Sequence, residues 1–217
     1  MKNKIFIIVI IVLSIAAAAM WYFAVFSIKP EKAPNAQNSK TNQQASAENK
    51  TTDSKYAALM GDAFDEAYIA DMLALYEGTS SMSEQASAVT AHEEIRTYAQ
   101  EVMQSEGPET MEMRDWQKAW GYKITMSGGH MSHGGGGMQM AGDMVESMNK
   151  LKGLTGAEYD KEFLKQMIAH REKSVEMSLY AASNAKHQEI KDLASTITDT
   201  HKNEIRKMEQ WQESWGY

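Results

Sequence analysis

Four methionines and two histidines fall between residues 126 and 140, in "MSGGHMSHGGGGMQM", spaced by six glycines and free of any charge. Thioether and imidazole are ligands for soft ions such as Cu(I) and Ag(I), and imidazole also suits Cu(II). Met126, His130, Met131, His133, Met138 and Met140 offer more donors than one ion needs. Glycine lets such a loop wrap around an ion, at an entropic cost that limits affinity. This redundancy suits capture and transfer rather than a rigid structural site. As a plain linker, glycine alone would suffice, and exposed Met would add only a liability to oxidation. The chain has 17 Met and no Cys, so thiolate sites and disulfides are excluded and thioether and imidazole remain as the soft ligands.

A second set of donors lies on helical spacing. Phe163, Leu164, Met167, Ile168, Val175, Leu179 and Ala182 form one apolar face, and Ile190, Ala194, Ile197, His201, Ile205, Met208, Trp211 and Trp215 form another. The break near "SNAKH" at 183–187 makes the pair a helical hairpin. With the tip between Ala185 and Lys186, residues whose numbers sum to about 371 face each other. His170 then faces His201, and Met167 faces Glu204. Met167 and His170 are about 4.5 Å apart along the axis and can share an ion, whereas Met177 lies about 10.5 Å beyond His170 and needs a second ion or a packing role. Met208 is equally far from His201. A Met stripe at this spacing is commonly core filler, because the flexible thioether fills irregular gaps.

The elements behind both sets come from a duplication. Residues 61–122 match 156–217 at a constant shift of 95 with 19 identities, ending in "WQKAWGY" and "WQESWGY". Two hairpins, 56–122 and 156–217, predict an all-α four-helix bundle, joined by 123–155 with a short helix from Gly142 to Leu151. Gly107-Pro108 is expected to kink or break the second helix of the first hairpin. In that hairpin the positions of His170 and His201 hold Leu75 and Glu106, while Met72, Met82 and Met113 are kept. Retained Met is consistent with packing, so the His pair distinguishes the second hairpin. His92 and His187 open matching helices, which suggests a terminal or capping role. The Trp pairs 116/120 and 211/215 are expected to close the bundle ends.

Residues 1–28 stand apart. Lys2 and Lys4 precede 24 uncharged residues, Ile5 to Ile28. As a helix these span about 36 Å, enough for a ~30 Å hydrocarbon core. An uncleaved transmembrane anchor with a cytoplasmic N-terminus is expected, a cleaved signal peptide being the rival, and either exports the rest of the chain. Residues 29–55 are polar and predict a disordered tether. Of the formal net charge of −7, residues 56–217 carry 15 basic and 26 acidic groups, or −11. That surface repels nucleic acid and attracts cations. None of the six histidines has Glu three residues before it, which opposes a di-iron site. No nucleophile–base motif or phosphate loop stands out, so catalysis is not expected.

The run "EFLKQMIAHREKSVEMS" and the later "HQEIKDLASTITDTHKNEIRKMEQW" resemble the bacterial domain-of-unknown-function 305 family, through Phe163, Met167, Ile168, His170, Met177, Glu204, Ile205, Met208 and Trp211. That family includes CopM-like copper-binding proteins of the cell envelope. Arg171 departs from its His doublet, and His201 stands where Gln is common. The resemblance implies a ferritin-like bundle and copper handling outside the cytoplasm. The soft ligands admit silver as well, and the expectation they support is a binder that buffers the ion or passes it to a protein partner. The contrasting expectation is an envelope interaction module whose Met residues only pack.

Overall fold

Gly61 and Gly156 each hold a positive φ, 61° and 60°, where a long helix begins, and Gly121 and Gly216 hold 73° and 74° where one ends. At both ends the left-handed glycine lets the next residue, a tyrosine, turn back, so that Tyr122 N–H donates to Gln117 and Tyr217 N–H to Gln212, each at 2.9 Å. The duplication is therefore visible first in its punctuation.

The computed structural model describes residues 55–124 and 137–217, with side chains from Met140 onward in the second stretch. The described chain is all-α: α1 (Lys55–Ala58), α2 (Asp62–Val89), α3 (Glu93–Trp120), α4 (Gly137–Leu151), α5 (Gly156–Ser178), α6 (Ala181–Asn184) and α7 (Gln188–Trp215). Among the described residues no helix is long and apolar enough to cross a membrane. The expected anchor at 1–28, the tether up to residue 54 and Met126, His130, Met131 and His133 lie outside the described residues.

α2 pairs with α3 and α5 with α7, and the two hairpins meet where α2 packs on α5. α4 lies over α2 and touches α5. Tyr68 Oη bonds Ser178 at 2.9 Å and Tyr159 donates to the Met82 carbonyl at 2.9 Å, so α2 and α5 run antiparallel. The interior divides in two. One cluster holds Phe64, Met72, Leu75, Met113, Met177 and Ile197, and the other holds Met82, Val102, Phe163, Met167 and Met208. On all four long helices the same polar layer separates them, at Thr79, Glu106, Arg171–Ser174 and His201–Glu204.

Three expectations change. α3 runs unbroken through Pro108. Gln104, Gly107 and Pro108 are all exposed, so water can take the carbonyl that proline leaves unpaired, and Gly107 has no Cβ to crowd the ring. α4 begins at Gly137, earlier than Gly142, which moves Met138 and Met140 from the loop onto a helix. Met140 is buried with Met144 against α2, because Gly78 leaves the space that Met144 fills. The third change concerns hairpin register.

Candidate metal site

Side-chain pairs across the second hairpin show that register. His201 Nδ1 bonds Ser174 Oγ, and Arg171 Nε pairs with Glu204 Oε2 at 2.6 Å. Facing residues therefore sum to 375, one helical turn beyond the expected 371. The tip causes the shift: after Ser178 the chain continues through α6, and it turns extended at Ala185 and again at His187 before α7. His170 does not face His201 directly. It lies one turn along α5 from Ser174, which holds His201.

Arg171 is fully buried at the centre of the polar layer. Its Nη1 donates to Glu106 at 2.5 Å and its Nε donates to Tyr98 Oη at 3.2 Å, while Nε forms an ion pair with Glu204. Tyr98 donates to Glu204 at 3.0 Å, and Thr79 Oγ1 donates to Glu106. Glu204 is thus engaged by Arg171 rather than set against Met167. The first hairpin repeats the pattern with other chemistry, Tyr76 donating to Glu109 at 2.5 Å where the second pairs Arg171 with Glu204. Thr79–Glu106 likewise corresponds to Ser174–His201.

Both imidazoles are buried and neutral. Burial, then the Arg171 guanidinium, pushes His201 down to about 2. Burial, then Arg171 and Lys150, pushes His170 down to about 4. His170 Nε2 is buried and has no hydrogen-bond partner among the described residues. An orphaned nitrogen of this kind is costly unless something binds it. Met167 lies one turn before it, in the cluster that also holds Met208. Met177 lies in the other cluster, where Tyr56 Oη donates to its sulfur at 3.0 Å. All three thioethers are fully buried, as are their counterparts Met72, Met113 and Met82.

Among the described residues no three His, Asp or Glu are grouped to hold a metal. The donors present fit a soft, low-coordination ion at His170 better than a hard, carboxylate-rich one.

His92 and His187 take the terminal roles expected. Asp160 accepts from the backbone N–H of Ala91 and His92 and bonds His92 Nδ1 at 2.7 Å; Asp65 does the same for Lys186, His187 and His187 Nδ1 at 2.7 Å. Each acid belongs to the opposite hairpin, so each caps its neighbour's helix. His92 stacks on Trp215 and His187 on Trp120, both at 3.7 Å.

A family model described as a domain of unknown function, DUF305, matches residues 65–212. The chain belongs to this family. Among solved structures, CopM in the Cu(I)-bound form is similar at 24% identity and a TM-score of 0.56, over 70% of this chain and 96% of that one. A DUF305 protein from Streptomyces coelicolor is similar at 22% identity and a TM-score of 0.60, over 70% and 94%. A DUF305 fragment from Deinococcus radiodurans is similar at 20% identity and a TM-score of 0.59, over 71% and 99%. These likenesses show the fold. No curated protein matches the chain. Spacing brought His170, His201, Met167 and Met208 to the bundle interior but missed Ser174, Tyr98 and the part played by Arg171, whose one signal was an Arg within an apolar helical face.

Proposed function

We propose that this protein binds Cu(I) or Ag(I), with Cu(II) as a further cargo, and buffers the ion or passes it to a protein partner. The observation that carries the reading is His170 Nε2, a buried, neutral and unpartnered imidazole nitrogen one helical turn from the Met167 thioether. His201 supplies a second neutral imidazole in the same polar layer. Solved forms of CopM with Cu(I), Cu(II) and Ag support the choice of ion. Met126, His130, Met131 and His133 act as a looser capture site. Residues 1–28 hold the bundle at the outer face of a membrane, and no catalytic step is involved.

The test is anaerobic competition for Cu(I) between the full chain and a chromophoric chelator. Exchanging residues 126–136 for Gly/Ser leaves the buried Met140 in place. One class of site should survive that exchange and be lost in His170→Ala/His201→Ala. A second reading, in which the Met residues only pack, is favoured by the buried counterparts Met72, Met82 and Met113. It predicts no competition by any of these chains.

A further inference from the structure

The repeat extends in front of the long helices. At the same shift of 95, Lys55 and Leu59 fall on Lys150 and Leu154, so α1 corresponds to the end of α4 and the turn that follows it. At the α4 end the packing is bland: Leu151 and Met82 are fully buried in one cluster, and Gln166 bonds Ser147 at 2.9 Å. The corresponding residues at the α1 end are Tyr56, Met177 and Asp71. The fold needs only apolar packing and a neutral amide beside this thioether, yet here it buries a phenol and a carboxylate against it.

Their contacts leave one valence open. Tyr56 Oη donates to Asp71 Oδ2 and to Met177 Sδ, the latter at 3.0 Å. Lys55 Nζ pairs with the same Oδ2. Asp71 is fully buried, and its Oδ1 has no hydrogen-bond partner among the described residues. Asn184 Nδ2 donates to the Tyr56 carbonyl at 2.7 Å, holding α1 against the hairpin tip. The ammonium that balances Asp71 is the exposed part: the Lys55 side chain is 43% exposed.

We infer that Asp71 and Met177 form a second cation site, for a soft monovalent ion, which Lys55 occupies with its ammonium while no ion is bound. Cu(I) or Ag(I) matches a thioether plus one carboxylate oxygen. A monovalent ion replaces the ammonium charge for charge, so the buried carboxylate stays neutralised; a divalent ion leaves a net charge in the interior. Lys55 then moves to water. The site is distinct from His170, since Met177 lies about 10.5 Å beyond it along α5. The inference rests on the soft-ion reading above.

The experiment is an Ag(I) titration of the full chain in detergent micelles, labelled with 13C at the methionine methyls, with Met177→Leu identifying the Met177 signal. The Met177 methyl should shift and saturate, and Asp71→Asn should abolish that shift. Lys55→Gln should lower the Ag(I) concentration at half-shift by about tenfold, because the competing ammonium is gone. A role confined to packing α1 predicts no such change. A Met177 signal that stays still while Met167 shifts overturns this site alone. No shift at any methionine overturns the soft-ion reading with it. Should Asp71→Asn fail to fold, the native chain and Lys55→Gln still decide.

Discussion

His170 and His201 differ from ordinary surface histidines in one respect: their protons are excluded. Buried beside Arg171, they stay neutral down to about 4 and about 2, against an unperturbed 6.5. The unfolded chain takes up these protons as pH falls below 6.5, while the folded chain does not, so the stability they contribute is full above 6.5 and is lost on acidification. Each costs up to about 1.4 kcal/mol per pH unit across that window. Urea unfolding of the metal-free protein should therefore give a lower midpoint at pH 5 than at pH 7. In His170→Gln/His201→Gln the difference should shrink; an equal drop would assign the acid sensitivity to the carboxylates instead.

Among the elements, α4 is the one without a full counterpart in the first hairpin among the described residues. It docks through Met140 and Met144, and the docking depends on a missing side chain: a Cβ at Gly78 would meet Met144 Cε at 1.6 Å. Gly78→Ala should push Met144 out and cost about 1–3 kcal/mol, with faster proteolysis across 137–155. Met144→Ala added to it should restore much of the loss, since the clash is with a side chain. Recovery by the second change separates a packing clash from a helix-propensity effect, in which alanine would stabilise.

At the scale of the molecule, Arg171 ties the hairpins together, reaching Glu106 in one and Glu204 in the other. Burial pushes the Glu106 carboxyl up, and the guanidinium opposes it. Arg171→Met should destabilise the fold by about 3–5 kcal/mol in denaturant unfolding, because it strands a buried carboxylate. Adding Glu106→Leu should recover most of this, an apolar pair being as good as an ionic one in such a place. The acids Asp65 and Asp160 cross-cap the ends in the same way, so neither hairpin closes its helices alone.

Much of this architecture was legible in the sequence. The shift of 95 gave two hairpins, "WGY" marked both bundle ends, and the periodicity put Met167, Met208, His170 and His201 inside. Periodicity reports which face of a helix is buried. It does not report how far along the axis that face meets its partner, and the α6 turn moved the second hairpin by one helical turn. That shift turned His201 toward Ser174 and Glu204 toward Arg171. Pro108 within α3, the start of α4 at Gly137 and the burial of Met140 were likewise decided by tertiary contacts, because solvent exposure and the gap at Gly78 exist only once the helices have packed.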